Sequence, residues 1–524
     1  MSRAQAFFQR HPAIRDALLW ALPAIAFGFA LRALLLAYQP YAFWSSDAES
    51  YYAFAHRLVT EGIASIPQKR RYLYPILVLP VKLLPGAPLQ WIALLQHAMG
   101  LLTIIPLAYA VRKIFVGWKW WVVPATALYA GLPVILWYEH ELLSEAFFFA
   151  SIVWTFAAWT AWCGRLQRGD RAPIVWWICF GCLALCVLTK PAARFLWPGL
   201  LVGMVYVRAW RFLRWPQWLA CAALFGVMLT VGEPGQAARL LYSSAFPLTV
   251  LDSPRHADLK AEIAPMVRAS RARLDYYYLE DDGPKHFLRG DYREGNFPAW
   301  QALDKKDIKA LNRAMRDMAL EALFTQPHLF VYIAVQRAVG SLNWTEFKLN
   351  RFEPTYQSAN LRDAYDSWAK KGETRKLSQF ASAYGVTSPA GSPPPFSDIQ
   401  SRVEPAGREV PARWLAQYVQ TVTPWGTFVA DPETGDFKRT LWQLTPTLLG
   451  WWLIVGCVFA WALPWLRGTL GVWLIVAIGY AVTVHLLGSG SARFFAAAWP
   501  PLLLALFAPL DGLYALIARR FSSK

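Results

Sequence analysis

Ten stretches of this chain are apolar for long enough to exclude a water-soluble fold as its main body. A helix crossing about 30 Å of hydrocarbon needs roughly 20 apolar residues. Such runs lie near 17–38, 89–111, 119–137, 146–163, 174–189, 195–207, 217–232, 441–464, 469–487 and 494–517. Composition agrees: 56% of the chain is hydrophobic and only 16% charged, against about 25% charged in soluble proteins. The pattern predicts a polytopic α-helical membrane protein of about 10–11 transmembrane helices. Leu73–Leu84 is apolar too, but Pro75, Pro80 and Lys82 interrupt it. It reads as a helix at the membrane interface, beside a second amphipathic helix in the same loop.

The character changes between Glu233 and Thr440, which hold 27 Lys and Arg against 25 Asp and Glu. This is soluble-type patterning, with a linker-like Ser388–Ser397 rich in Pro and Ser. The organisation is then a transmembrane module over 1–232 with a juxtamembrane loop at 39–85, a mainly helical water-facing domain over 233–440, and a transmembrane bundle over 441–524. Within the middle domain Asp304–Phe324 reads as one amphipathic helix closed by Thr325-Gln326-Pro327. Phe330–Trp344 carries Gln336 and Arg337 at its centre and suits a helix lying on the membrane face.

The whole chain carries 52 basic and 34 acidic residues, a formal +18. Removing the middle domain leaves 25 basic and nine acidic residues in the membrane parts. The basic ones cluster at Arg3/Arg10/Arg15, Arg112/Lys113/Lys119, Arg165/Arg168/Arg171, Arg208/Arg211/Arg214, Arg467 and Arg519/Arg520/Lys524. Those clusters fall on alternate loops, and the positive-inside rule makes their side cytoplasmic. The charge is therefore topological, and a nucleic-acid partner is not expected. Both termini fall inside, and the 39–72 loop, the 138–145 loop and the middle domain fall outside. Arg3–Arg15 followed by a full apolar run reads as a retained first helix. All six cysteines, among them Cys179, Cys182 and Cys186, lie in apolar spans, so neither disulfides nor a metal motif is expected.

Of the nine acids in the membrane parts, Asp16, Asp170 and Asp511 sit among basic residues, and the other six fall in two external loops. Asp47, Glu49 and Glu61 lie in the first, and Glu139, Glu141 and Glu145 in the second. Ionisable groups at membrane depth are costly and mark functional sites. Tyr51, Phe54, Ala55 and Leu58 give the first loop a short amphipathic helix with Ser46 or Asp47 as its N-cap. Asp47 can cap that helix, take a proton from an acceptor hydroxyl, or do both. In the second loop, Glu141 and Glu145 have the spacing of one helix face. Options there are a second acid, a metal pair with His140, contacts to a sugar, or a solvated turn. External cations Lys69, Arg70, Arg71, Lys190, Arg194 and Arg493, with His485 nearby, run against the charge bias. An anionic lipid phosphate would explain them.

In order, Arg32, Asp47…Tyr51, Tyr74-Pro75, Ser144-Glu145, Thr189-Lys190-Pro191, Gln326-Pro327 and Arg493-Phe494…Trp499-Pro500-Pro501 resemble the GT-C superfamily of membrane glycosyltransferases. The resemblance is to the protein O-mannosyltransferase and aminoarabinose lipid A transferase type. It covers the first 232 residues well, the last 85 moderately and the middle domain poorly. Asp47-Ala48-Glu49 separates two acids that the protein-mannosylating members carry side by side, which leaves the acceptor class open.

The resemblance implies a GT-C-like fold in a bacterial inner membrane with a periplasmic domain. It implies a polyprenyl-phosphate-linked sugar donor, a lipid, glycan or protein acceptor, and inversion at the anomeric carbon. Asp47 would be the general base, with Glu49 and Glu145 beside it. Lys69, Arg70, Arg71, Lys190, Arg194, Arg493 and His485 would hold the donor phosphate, and Tyr51, Tyr74, Glu139, His140 and Glu141 would contact substrate. A divalent metal is left open, and no other cofactor is implied. A phosphate-linked sugar is already activated, which fits the absence of a Gly-rich phosphate loop from the sequence. Two rival readings remain: a transporter or flippase of lipid-linked sugars, which would show inverted repeats or broken helices at the bilayer midplane, and a glycan ligase or polymerase.

Overall fold

The computed structural model describes residues 9, 12–45, 47–60, 62, 73–115, 119–230, 236–272, 287–288, 291–293, 295–341, 354–386, 393–404, 448–487 and 496–522. The chain is a polytopic α-helical membrane protein. Among the described residues the one β pairing is an isolated parallel bridge between Phe43 and Glu141.

The N-terminal module starts with α1 (Pro12–Tyr38), then the short loop helices α2 (Ala48–Thr60) and α3 (Leu73–Lys82). It continues with α4 (Pro88–Ile114), α5 (Val122–Ala130), α6 (Pro133–His140), α7 (Glu145–Leu166) and α8 (Pro173–Thr189). Then come α9 (Trp197–Tyr206) and α10 (Trp215–Thr230). Proline at the first helical position starts α4, α6 and α8, where the missing N–H is not needed. The turn into α8 puts Ala172 at φ 39, held by its N–H donating 2.9 Å to Asp170 Oδ1.

Among the described residues five helices are long and apolar enough to span: Ile14–Tyr38, Pro88–Ile114, Glu145–Leu166, Pro464–Val484 and Trp499–Phe521. The pair α5 and α6, bent by 45°, makes a sixth if taken as one. Hydropathy of the whole sequence gives about 10–11 spans; among the described residues the others are shorter apolar helices, Pro173–Thr189, Ala192–Tyr206 and Trp451–Ala462 among them. Apolar content was read properly, but Gly131, Pro133, Pro191 and Pro464 interrupt the helical ladder and leave shorter helices. At the close crossing of α9 with the last bundle, Gly199 and Gly203 face Val476 and Val472. A Cβ at Gly199 would lie 2.6 Å from the Val476 backbone, so the small residues set the interhelical distance.

The middle region divides in two. The first part has α11 (Gln236–Ala245), α12 (Ala257–Ala272), α13 (Pro298–Lys306), α14 (Ile308–Thr325) and α15 (Pro327–Ser341) around its own core, with Tyr242, Phe246, Trp300 and Met315 buried. The single helix expected over Asp304–Phe324 is two helices. Asp307 stops α13 and caps α14, its side chain accepting from Lys309 N at 2.8 Å. Helix α15 covers the described part of the Phe330–Trp344 stretch, and the side chains of Gln336 and Arg337 lie outside the described residues. The second part has α16 (Pro354–Lys370), α17 (Thr374–Ala383) and α18 (Phe396–Val403), whose buried residues belong to the membrane-side core instead.

The last bundle holds α19 (Leu448–Ala462), α20 (Val472–Leu487), α21 (Trp499–Ala505) and α22 (Ala508–Ser522). Helix α20 packs against α9, α11 and α15, so both membrane modules and the middle region meet along it. The six cysteines are free; Cys163, Cys179 and Cys186 are buried in the apolar helices.

Candidate active site where the first two loops meet

The chain leaving α1 runs extended and is hydrogen-bonded to the second loop. Phe43 N donates to His140 O at 2.6 Å, Leu142 N donates to Phe43 O at 2.9 Å, and Ala42 N donates to Leu89 O at 3.1 Å. Four residues later Asp47 precedes α2. Its carbonyl accepts from Ser50 N at 3.2 Å and Ser50 Oγ at 2.6 Å, so it occupies the N-cap position expected for it. Ser46 lies outside the described residues. Apolar residues Tyr51, Tyr52, Phe54 and Ala55 bury one face of α2, as its amphipathic pattern requires.

The second loop is held from behind by α4. Gln96 Nε2 donates to Glu139 O at 2.9 Å and Glu141 O at 2.8 Å, while its Oε1 accepts from Tyr74 OH at 2.8 Å. Glu141 is extended, at φ −99 and ψ 139, so it does not share a helix face with Glu145 as the spacing suggested. The chain breaks between α6 and α7, and the two acids reach the site separately. Trp137 Nε1 donates to Glu141 Oε2 at 3.0 Å.

On the other side Lys190 Nζ donates to Glu145 Oε1 at 2.7 Å, with the two side chains 5% and 0% exposed. Asp47 and Glu141 both act electrostatically on this ammonium. Tyr51 OH is 3.1 Å from Ser144 Oγ, which reaches Glu145 Oε2 at 3.4 Å. Asp47, Glu141, Glu145, Lys190, Tyr51 and Tyr74 thus form one cluster. It combines three carboxylates, one ammonium and two phenols beside an apolar bundle.

A second, fully buried network lies beneath. Arg32 makes a two-pronged pair with Glu139, Nε to Oε2 and Nη2 to Oε1, both at 2.7 Å. Its Nη1 donates to Gly28 O and Ala130 O at 3.0 Å each, satisfying a carbonyl at the break after α5. His97 Nδ1 lies 3.1 Å from Glu139 Oε2, and His97 Nε2 lies 2.8 Å from His140 Nδ1. Glu139 and His140, expected to contact substrate, stand in this inner network. They are 1% and 0% exposed and are spent on internal partners.

Helices α16–α18 roof the first loop. Phe380 packs edge-on to Trp44 at 5.1 Å, and Tyr384 lies 5.6 Å from Tyr41. Gln39 Nε2 donates to Val403 O at 3.4 Å. Lys376 Nζ pairs with Glu49 at 3.1 Å, and its bond to Glu373 is the main cause of a raised ammonium pKa. Tyr52, whose burial pushes its phenol up to about 12, sits under Lys82, which is 3.9 Å from the ring centre. Burial pulls the Lys82 ammonium down to about 8.

Among the expected phosphate-binding cations, Arg194 stands in the turn after Lys190 over the Phe195 ring, its Nε buried and without a hydrogen-bond partner among the described residues. Lys190 is already paired with Glu145, so holding a phosphate would require exchanging that partner. Lys69, Arg70, Arg71, Arg493 and the side chain of His485 lie outside the described residues, as does Glu61. Among the described residues no group of three His, Cys, Asp or Glu side chains is placed to hold a metal ion. Sequence reasoning missed Gln96, His97 and Lys376. The adjacent Gln96-His97 inside an apolar run was a readable signal, because polar groups at that depth need partners.

No family model matches the chain, and no curated protein matches it. The chain is similar in structure to an oligosaccharyltransferase from Archaeoglobus fulgidus in its apo form, at 14% identity and a TM-score of 0.37, over 96% of this chain and 52% of that one. The archaeal oligosaccharyltransferase AglB from Archaeoglobus fulgidus, solved with an inhibitory peptide and a dolichol-phosphate, aligns at 14% identity and a TM-score of 0.36, over 97% and 52%. The form tethered to an acceptor peptide aligns at 14% identity and a TM-score of 0.37, over 98% and 51%. The chain spans about half the length of these structures.

Proposed function

We propose that this protein is a GT-C-like glycosyltransferase that moves a sugar from a polyprenyl-phosphate donor to a lipid or glycan acceptor at the outer face of a bacterial inner membrane. The observation that carries the reading is the cluster itself. Asp47, whose carbonyl accepts from Ser50 at the start of α2, acts electrostatically together with Glu141 on Lys190, the partner of Glu145. Such a base needs only to be fixed near an acceptor hydroxyl.

In this reading Asp47 removes the proton from the acceptor hydroxyl as its oxygen attacks the anomeric carbon. The bond from that carbon to the phosphate oxygen breaks on the opposite face, and polyprenyl phosphate leaves with the electron pair. The configuration inverts. Cations stabilise the leaving phosphate; Arg194 and Lys190 are the described candidates, with Lys69, Arg70, Arg71 and Arg493 as further ones. Glu49 sits one step further out, tied to Lys376. Tyr51 supplies a phenol beside Ser144 and Glu145 for a sugar to meet, backed by the buried Tyr74, whose hydroxyl donates to Gln96.

The test uses purified protein and a panel of radiolabelled polyprenyl-phosphate sugars with membrane lipid extract as acceptor. Asp47→Asn should abolish transfer and keep donor binding; undiminished transfer would refute the assignment. A transporter of lipid-linked sugars is the second reading, and the bend between α5 and α6 beside buried Arg32 and Glu139 favours it. It predicts that labelled donor crosses proteoliposome membranes with no product formed. The two-pronged Arg32–Glu139 pair counts against it, since both charges are already neutralised internally.

A further inference from the structure

We propose that His97 is a positioning residue whose ring, joined to His140, sets the backbone against which the Asp47 loop is hung. The proposal rests on the reading of Asp47 as the working carboxylate, and it concerns a residue two steps behind it. His97 lies on α4, is 2% exposed, and touches neither Asp47 nor the outer surface.

The chain of contacts is continuous. Arg32 fixes the Glu139 carboxylate with two bonds of 2.7 Å, and Glu139 Oε2 also faces His97 Nδ1 at 3.1 Å. A carboxylate only accepts, so the His97 proton belongs on Nδ1. That leaves Nε2 of a neutral ring as an acceptor, and His140 Nδ1–H donates to it across 2.8 Å. The backbone of Gln39 and Tyr41, in the chain leaving α1, also lies against the His140 ring. One proton arrangement satisfies both ring contacts of His97, so the two rings hold a defined orientation.

The same residue, His140, presents its carbonyl to Phe43 N at 2.6 Å. Phe43 answers through its own carbonyl to Leu142 N at 2.9 Å, and Phe43 stands four residues before Asp47. Loosening the ring anchor lets the His140 backbone shift, and with it the carbonyl on which the first loop is aligned. Gln96, next to His97, holds the carbonyls of Glu139 and Glu141 on the adjoining turn. The pair Gln96-His97 grips the loop at three consecutive residues, 139 to 141. Burial of both rings also explains why side chains that resemble site residues in the sequence stand behind the site.

Three variants of the full chain separate this role from simple stability. His97→Phe keeps ring volume and removes both contacts. His97→Gln can place its amide oxygen near the Nε2 position, where it accepts from His140 and keeps that link. His97→Asn places its amide near the Nδ1 position and keeps only the link to Glu139. Each is compared with wild type for thermal unfolding, for kcat and KM with the labelled donor, and for the rate at which a water-soluble carbodiimide modifies Asp47, located by mass spectrometry.

For His97→Phe, kcat should fall about 100-fold, the size expected from a misplacement near 1 Å, with donor KM changed less than about threefold. The rate of Asp47 modification should change at the same time. His97→Gln should recover most of both losses and His97→Asn little. A lower unfolding temperature with kcat and Asp47 modification as in wild type would overturn the proposal. If His97→Phe does not fold, equal behaviour of the Gln and Asn variants would overturn it instead. If wild type transfers no sugar from any donor, the reading of function fails, while the Asp47 modification rates still decide the positioning role.

Discussion

The buried pair Lys190–Glu145 gives a sharp quantitative test. Its atoms are 2.7 Å apart and its side chains 5% and 0% exposed. At an effective dielectric of about 20, unit charges at that distance attract by about 6 kcal/mol before desolvation is counted. Desolvation offsets most of this, so the pair adds little net stability, yet stranding one partner costs about 3–5 kcal/mol. Lys190→Met should therefore lie at the upper end of that range. Glu145→Gln should be milder, because Asp47 and Glu141 still act on Lys190. The double variant should lose no more than about 1 kcal/mol, since no bare charge remains. Unfolding in increasing SDS within mixed micelles, followed by Trp fluorescence, measures all three. Additive losses in the double variant would refute the argument. A stable double variant that transfers no sugar would assign the Lys190–Glu145 pair to chemistry, separate from folding.

Gly100→Ala should also destabilise, by at least about 1–3 kcal/mol, because the added Cβ would overlap the Glu139 carboxylate held by Arg32; a melting temperature within 1 °C of wild type would contradict this. For Lys82 the sign follows from burial. Its pKa is lowered to about 8 when folded, so the unfolded chain holds the extra proton between that value and about 10.4. Wild-type stability should then rise relative to Lys82→Met as pH goes from 8 to 10.5, with the difference flat below that window. Parallel stability–pH curves would show that Lys82 is not desolvated.

Hydropathy made the membrane fold legible, and the scarcity of acids picked out the two loops that meet. What hydropathy does not register is a proline-induced break inside an apolar run. The stretch 119–137 therefore looked like one span and is a 45° bent pair that delivers Glu139 to Arg32. Asp47 and Glu145 stand out in the sequence because their loops are acid-rich. Glu139 and His140 were picked up by the same signal, yet they face inward, since α6 is buried along its whole length. Direction around a helix next to a break is not written in residue spacing. The roof of α16–α18 was invisible for a different reason. Its contacts with Tyr41, Trp44 and Glu49 depend on tertiary docking, and its own sequence looks like any soluble helical segment.

The roof also puts a clock on the protein. Gln39 and Val403, joined by one hydrogen bond, are 364 residues apart. At about 5–20 residues per second, roughly 20 to 70 s of synthesis separate the first loop from its cover. During that interval Trp44, Tyr41 and Tyr52 lack their partners Phe380, Tyr384 and Ser382. The N-terminal helices, α1 to α10, would be in place well before the first loop is covered. A nascent chain can thus reside in the membrane for most of its synthesis inserted but unfinished.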